Sequence, residues 1–270
     1  MTVTVRPAAV AGMFYPAGRA ELSRMLQDML QAAHPPSLRP KALIAPHAGY
    51  VYSGPVAAHA YALLKDRRGE IERVVLLGPV HRVWVKGLAL PAVDAFETPL
   101  GRVPLDEAAE AELLRLPYVE VNEAAHAWEH SLEVHLPFLQ ALLGSFSLVP
   151  LAVGGASPEQ VAEALEVVWG GDETLIVVSS DLSHYLPYDE AKRVDAATAR
   201  AILELRTDLV GEQACGAHPI NGLLLAARRR GLTPHLLDLR NSGDTAGDKS
   251  RVVGYAAFAL TEETHAATVQ

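Results

Sequence analysis

Three apolar segments of this chain each end at side chains that can bind a metal ion or move a proton. His47 and His81 directly follow two runs of aliphatic residues, and Asp181 and His184 follow a third. Runs of this length, rich in Val, Ile and Leu, are typical of fully buried strands. In an open α/β sheet the carboxyl ends of the strands form one edge, where ligands bind. We therefore predict that these four side chains meet at that edge and form a metal site.

A carboxylate in a later loop completes the predicted ligand set. The loop 241–248 is rich in turn residues, and a surface turn is its simplest interpretation. Its functional interpretation brings Asp244 to the same edge as His47 and His81. Two histidines and one carboxylate form the facial triad of non-haem Fe(II) enzymes, and zinc can use the same ligands. A spare histidine nearby would then act as acid or base, because an imidazole titrates near neutral pH.

A histidine-rich segment offers a rival metal site. His126 and His130 are four residues apart, the spacing that places two ligands on one face of a helix. Zinc proteases of the His-Glu-x-x-His type carry glutamate directly after the first histidine, whereas this chain has Ala127 there. We therefore favour the interpretation that Glu129, His130 and Glu133 begin a helix facing the predicted cleft, where they contact the substrate or support the metal ligands.

The single cysteine stands at the start of another predicted helix. Cys215 and His218 lie near its first turn, where a thiol can have a lowered pKa. A lone cysteine is more often a small buried apolar residue. We therefore predict that both residues surround the cleft and that neither is catalytic. One cysteine cannot form an intramolecular disulfide, which fits a reducing compartment.

Length and composition favour one large α/β domain. Half of the 270 residues are hydrophobic, which is ample for a single core. The formal net charge is −9, and the one basic run, 228–230, is typical of a helix end, so the sequence argues against nucleic-acid binding. No apolar stretch approaches the roughly 20 residues that span a bilayer, and the first residues lack a signal-peptide pattern. We expect a cytoplasmic protein without a membrane partner.

Strand-like runs alternate with amphipathic segments through most of the chain. Candidate strands at 41–46, 73–78 and 174–180 are separated by stretches long enough to form helices. This alternation predicts βαβ crossovers, and hence an α/β fold with a mostly parallel central sheet covered by helices on both faces. The sequence contains no repeat and no linker. We therefore predict a single domain over residues 1–270, with a frayed tail from about Glu262.

Seven short motifs are spread in order over nearly the whole chain: 6–16, 46–54, 78–81, 129–138, 179–185, 215–220 and 254–257. With these motifs the sequence resembles the Memo family, whose bacterial and archaeal members are labelled AmmeMemoRadiSam system protein B. The Memo fold is similar to that of class III extradiol dioxygenases, which are non-haem iron enzymes that cleave catechol rings. The resemblance therefore implies a dioxygenase-like oxidoreductase built on that fold.

The resemblance also implies roles for particular residues. It implies that His47 and His81 bind the metal, Fe(II) first and copper or zinc as alternatives. It places His184 where the dioxygenases have their acid/base histidine, with Asp181 beside it. Tyr50 belongs to the motif that contains His47, and we count it among the contacts to the substrate or to the metal ligands.

The third ligand is where this chain departs from the animal members of the family. Those proteins carry a cysteine as third ligand near the final strands, whereas this chain has Asp244 in the roughly corresponding loop. We expect Asp244, or Asp248 in its stead, to complete a site of two histidines and one carboxylate.

Two further functions would use the same cleft. Some Memo proteins are described as phosphopeptide-binding, so one alternative is a non-enzymatic module that holds a phosphopeptide or an anionic metabolite at helix N-termini. The other alternative is a zinc hydrolase with the same ligands. The family label also implies a radical-SAM protein and an AMMECR-type protein as partners.

Overall fold

Two sheets and the helices around them make up the molecule. The computed structural model describes residues 3–262, so the tail that we expect to fray after Glu262 lies outside the described residues. The strands are β1 (Val5–Arg6), β2 (Ala42–Ala45), β3 (Arg73–Pro79), β4 (Leu88–Leu90), β5 (Ala95–Thr98), β6 (Gly101–Pro104), β7 (Val119–Val121), β8 (Ser147–Val153), β9 (Thr174–Ser179), β10 (His184–Leu186), β11 (Thr233–Asn241) and β12 (Val252–Thr261).

The helices lie between these strands. They are α1 (Arg19–Ala32), α2 (Tyr50–Tyr61), α3 (Glu107–Leu113), α4 (Glu123–Ala127), α5 (Leu136–Leu143), α6 (Pro158–Val168), α7 (Tyr188–Leu203), α8 (Ala217–Arg230) and α9 (Ser242–Thr245), with single 3₁₀ turns at Ala62–Leu64 and Glu133–His135. Within residues 3–262, none of these helices combines the length and the apolarity needed to cross a bilayer.

The large sheet has nine strands and a parallel centre. Its order is β10-β12-β2-β9-β3-β8-β4-β7, and β11 also pairs with β12. The four central strands β2, β9, β3 and β8 run parallel, whereas β12 and β4 run antiparallel to their central neighbours. The predicted α/β fold with a covered central sheet is confirmed. The antiparallel turn at β4 follows from chain length, because residues 80–87 are too few for the crossover that a parallel neighbour requires.

Both faces of the central strands are buried under helices. Ile44, Val75 and Leu77 pack into a core that includes residues of α6 and α8. The alternate strand residues Leu43 and Val74 pack into a second core with residues of α1, α2 and α5. Since successive strand side chains point to opposite faces, a strand buried on both sides must be apolar at every position. The uninterrupted aliphatic runs of the sequence are the result.

The strand order decides which loops meet. β9 lies between β2 and β3, with Ala45 paired to Ser179 and Leu77 to Val178. The residues that follow these three parallel strands therefore leave the sheet at one edge, which we call the carboxyl edge. His47 and His81 follow β2 and β3, and so stand on either side of the chain that follows β9.

Candidate metal centre

Three imidazoles converge at the carboxyl edge. His47, His81 and His130 each offer a ring nitrogen, and these atoms all lie within 4.8 Å of one another. The ring centroids are 5.1 Å apart for His47 and His81, 5.3 Å for His47 and His130, and 4.6 Å for His81 and His130. His47 is buried, His130 is half-buried and His81 is exposed, so the cluster opens toward solvent on the side of His81.

A buried serine fixes the orientation of His47. Ser179 Oγ lies 2.6 Å from His47 Nδ1 and 2.7 Å from His135 Nε2, and its own proton is donated to the Ser131 carbonyl at 2.6 Å. A hydroxyl has one proton to donate, so it must accept from both histidines. His47 therefore carries its proton on Nδ1 and presents the lone pair of Nε2. His135 Nδ1 in turn accepts from Tyr61 at 2.6 Å.

A buried glutamate does the same for His81. Glu129 Oε1 accepts a hydrogen bond from His81 Nδ1 at 2.8 Å, and Oε2 accepts one from the His81 backbone N–H at 2.7 Å. Oε1 also accepts from the Ser131 backbone and lies 3.5 Å from His130 Nδ1. His81 therefore presents Nε2, since its other nitrogen is engaged. Metal-binding histidines characteristically donate their second N–H to a carboxylate or a similar acceptor in this way.

Burial keeps His47 and His130 uncharged at neutral pH. It lowers the pKa of His47 well below the ordinary value, helped by the neighbouring imidazoles, and lowers the pKa of His130 to about 4. Burial alone would raise the pKa of Glu129, but hydrogen bonds from His81 and from the Ser131 backbone outweigh it and lower the pKa to about 2. At neutral pH the neutral imidazoles of His47 and His130 therefore lie near the ionised carboxylate of Glu129, and a neutral imidazole has a ring nitrogen lone pair that a ligand can use.

A carboxyl group and a thiol lie against the open nitrogen of His47. Asp181 Oδ1 accepts the His47 backbone N–H at 2.8 Å, and its Oδ2 is 3.9 Å from His47 Nε2. Cys215 Sγ is 3.3 Å from the same Nε2. Burial raises the pKa of Asp181 to about 7, against backbone N–H donors that lower it, and raises the pKa of Cys215 to about 12. The thiol is therefore protonated and donates to Nε2 when nothing else occupies that lone pair.

His184 is half-buried on the same side of the sheet. Burial lowers its pKa, a hydrogen bond to the Leu182 backbone raises it, and the nearby His81 lowers it further. The Asp181 carboxylate accepts from the His47 backbone, and His184 lies at the first residue of β10.

The N-terminal segment packs against His130. The Phe14 ring packs on His130 with centroids 4.6 Å apart. Glu133 holds this segment in place: its carboxylate accepts from Arg6 at 2.7 Å, from Tyr15 at 2.6 Å and from the backbone of Ala9 at 2.8 Å. Glu133 and Arg6 are both buried. Glu133 therefore holds the N-terminal segment in place and does not face the cleft. This corrects our expectation that Glu133 contacts the substrate or supports the metal ligands.

Three other predicted residues lie away from the cluster. Tyr50 is buried in the core and donates to the Val134 carbonyl at 2.6 Å. His218 is exposed on α8, with Nδ1 3.0 Å from the Ala156 carbonyl. His126, half of the rival pair, is buried with Nε2 donating to the Ala89 carbonyl at 2.8 Å, and it does not share a group with His130. In each case one polar atom of the side chain lies within hydrogen-bond distance of a backbone carbonyl.

Asp244 is not among the side chains gathered around His47 and His81. It caps the short helix α9, where it accepts from the Asn241 backbone at 3.0 Å and from the Tyr188 hydroxyl. Asp248 is exposed and accepts from the Ser250 backbone at 2.7 Å. The loop 241–248 is thus largely a surface turn, which was the simpler of the two interpretations of its sequence. In place of a carboxylate, the third side chain beside the two histidines is His130.

The sequence pointed to His130 in a supporting role and not as the third imidazole of the cluster. His130 lies in a segment with an unusual density of histidines, and a third imidazole is a reasonable partner for two others. Ser179 gave no such signal, because serine at the end of a strand is common. Phe14 gave none either, since its role depends on how the N-terminal segment crosses the sheet edge.

Comparisons with known proteins agree over nearly the full length. A family model described as "Memo-like protein" matches residues 6–259. A "MEMO1 family protein" of Aquifex aeolicus (strain VF5) is 40% identical over 265 residues, covering 93% of this chain and 97% of that protein. A protein with the same description from Sulfolobus acidocaldarius is 37% identical over 285 residues, covering 93% and 97%.

One solved structure is similar in fold. It is described as "uncharacterized protein JW3007 from Escherichia coli K12", has a TM-score of 0.57 and 13% sequence identity, and the match covers 81% of this chain and 99% of that one. At this identity the similarity shows the fold alone.

Proposed function

This chain belongs to the Memo family, and we propose that it is a non-haem metal oxidoreductase in which His47, His81 and His130 hold Fe(II). The observation that carries the proposal is the convergence of three imidazoles within 4.8 Å. Two of them donate their second N–H to a fixed acceptor, Ser179 or Glu129, and so aim Nε2 outward. Imidazole nitrogen suits iron, copper and zinc alike.

The donor set fits an ion after the rings close around it. Three equally spaced nitrogens that each lie about 2.1 Å from one ion are at most about 3.6 Å apart, so a pair of nitrogens 4.8 Å apart must close by about 1.2 Å. The ring of His81 is exposed and can move. Binding also requires the Cys215 thiol to withdraw its proton from His47 Nε2, after which the sulfur and the Asp181 carboxylate are the next donors available.

The residues around the ion would accept and donate protons. When bound, Fe(II) supplies one-electron chemistry and leaves positions for a substrate and O₂. Asp181, with a pKa of about 7, can take or release a proton at Oδ2, which faces His47 Nε2. His184 provides a second proton carrier on the solvent side. Phe14 covers one face of His130 and keeps water from that side of the cluster.

A zinc hydrolase is the second candidate, and one observation favours it. Three imidazoles without a carboxylate are the ligand set of catalytic zinc sites of the carbonic-anhydrase type. In that function Asp181 would act as the base for a bound water. The identity of the resident metal separates the two candidates.

The experiment is anaerobic purification from cells grown with iron, followed by elemental analysis and an oxygen-consumption assay with catechol. We expect one iron per chain in the wild-type protein. The variants His47→Ala, His81→Ala and His130→Ala should each lose most of it. His34→Ala is the matched control, because it removes an exposed imidazole outside the cluster.

Each outcome decides between assignments. Iron retained by His130→Ala and lost by Asp244→Ala would restore the ligand set of two histidines and one carboxylate. Zinc at full occupancy without iron would favour the hydrolase. If the protein binds iron but consumes no oxygen with catechol, the proposed dioxygenase-like activity is wrong and only metal binding remains.

A further inference from the structure

A cavity of about 550 Å³ lies at the edge of the sheet opposite the imidazoles. It is formed by one side of α1, the chain before β3, the end of α5 and the turn between β5 and β6. We call this edge the amino edge, because β3 and β8 begin there. β3 has seven residues, so roughly 20 Å of strand separates the two edges. A ligand in this cavity would not touch the metal centre.

The cavity concentrates positive charge in a chain of net charge −9. Its lining contains four cations, Arg19, Lys65, Arg68 and Arg102, and no carboxylate among the residues that the structure describes. Four like charges around one space repel one another, and an anion placed between them relieves that repulsion.

Most of the donors on these cations are available to a ligand. Within residues 3–262, the side chains of Arg19 and Lys65 form neither a hydrogen bond nor an ion pair. Arg68 uses one nitrogen, Nη2, to donate to the Ala141 carbonyl at 2.9 Å. Arg102 meets only the exposed Glu97, with Nε 3.5 Å from Oε1.

The floor of the cavity is aliphatic. Leu26 and Leu30, four residues apart on α1, are buried there, and Leu100 is half-buried opposite them. The lining contains no aromatic side chain, so the cavity lacks the stacking surface that a nucleobase uses. An alkyl chain fits this floor better than a flat ring.

Two features hold the cavity in shape without a ligand. Gln140 accepts from Thr98 at 2.6 Å and donates to the Gly101 carbonyl at 3.0 Å, which fixes the turn between Leu100 and Arg102 against α5. Gly144 has φ +80° and leaves open the space that Arg68 occupies: a Cβ there would lie 3.1 Å from Arg68 Nη1.

We propose that this cavity binds a small aliphatic anion, either a phosphate monoester or a carboxylate, with its alkyl chain on the three leucines. Its charged end would lie among Arg68, Lys65 and the other two cations, where guanidinium groups bind phosphate or carboxylate through paired N–H donors. A cavity of this volume is in the range used by small-molecule ligands. We therefore assign a free small molecule rather than a lipid within a membrane.

The test is isothermal titration of the whole chain with n-hexyl phosphate, hexanol and inorganic phosphate. We expect hexyl phosphate to bind about tenfold or more tightly than inorganic phosphate, because it adds apolar contact to the same charge. Hexanol should give no measurable heat. The double variant Lys65→Gln/Arg68→Gln should weaken hexyl phosphate binding by about tenfold or more.

Two controls make the result specific. Arg115→Gln removes an exposed arginine outside the cavity and should bind as the wild type does. His47→Ala/His81→Ala, which tests the metal proposal, should also bind hexyl phosphate unchanged, so the two proposals can fail separately. Circular dichroism checks that each variant is folded.

Three results would overturn the assignment. One is equal binding of hexanol and hexyl phosphate. Another is full affinity in the folded Lys65→Gln/Arg68→Gln variant. The third is binding to vesicles of phosphatidic acid and phosphatidylcholine with no binding of free hexyl phosphate, which would make this face a lipid-headgroup surface.

Discussion

The two edges of the central sheet use polar side chains in opposite ways. At the carboxyl edge, Ser179, His135 and Glu129 are buried and bonded to one another or to the imidazoles. At the amino edge, cations such as Lys65 and Arg102 are exposed and have few partners. A buried polar group is costly unless it is paired, so the carboxyl edge holds one arrangement before any ligand arrives. The amino edge keeps its side-chain freedom until an anion orders it.

The largest expected effect comes from the buried ion pair behind the metal centre. Glu133→Gln leaves the Arg6 guanidinium buried without its counter-charge, and should lower the free energy of unfolding by roughly 3–5 kcal/mol. Urea denaturation measures this. The matched substitution at the other edge, Glu97→Gln, breaks an exposed pair and should cost less than about 1 kcal/mol. Equal losses in the two variants would contradict the contrast between the edges.

A middle-sized effect is expected for Ser179→Ala. The change leaves His47 Nδ1, His135 Nε2 and the Ser131 carbonyl without their shared partner in a buried site. We expect a loss of about 1–3 kcal/mol in unfolding free energy, and metal affinity about 10–100-fold weaker because His47 loses its orientation. Competition with a chelator measures the affinity. Ser37→Ala, which changes an exposed serine, is the control. Wild-type affinity in Ser179→Ala would show that His47 needs no such support.

The smallest expected effect, counted per pH unit, is a change in the pH dependence of stability. Burial, with a minor contribution from His130, lowers the pKa of His135 to about 3 from an ordinary 6.5. Between these values the unfolded chain binds a proton that the native state does not, so this group lowers stability as the pH falls, by up to about 1.4 kcal/mol per pH unit. Denaturation midpoints of the metal-free protein from pH 7 to pH 4 should therefore fall less steeply in His135→Gln than in the wild type.

A comparison between variants isolates His135. Asp181 acts in the other direction, because its pKa is raised to about 7 and the native state holds its proton where the unfolded state does not. That contribution is common to the wild type and to His135→Gln, so it cancels in the difference. His34→Gln, at an exposed position, should leave the slope unchanged. A wild-type slope in His135→Gln would mean that His135 titrates normally in the native state.

Much of the fold could be predicted from the sequence because the strands carry their own signal. The predicted strands at 41–46, 73–78 and 174–180 correspond to β2, β3 and β9 with shifts of one residue at most. Burial on both faces demands unbroken aliphatic runs, and these are visible without any structure. The antiparallel placement of β4 and β12 was less visible, since periodicity does not report the direction of a strand.

Only part of the candidate site could be predicted from the sequence. His47 and His81 were found because each is attached to the end of a recognisable strand, and parallel neighbours deliver their ends to one edge. The third side chain was predicted to be Asp244, with His130 only as a support or a substrate contact, because both segments carry residues that suit the position. His130 occupies it, whereas Asp244 is held by Asn241 and Tyr188.

The amino-acid sequence by itself determined the class of the fold, the family, and the two histidines that leave neighbouring strands, since all of these follow from local patterns of side chains. Only the tertiary structure decided that His130 joins them, that Ser179 and Glu129 fix their tautomers, and that four cations from three separate segments surround one cavity. Those facts depend on packing between segments from about 35 to more than 130 residues apart, such as residue 47 and residue 179. Contacts over such separations are set by the balance of the whole core and leave no local pattern in the chain.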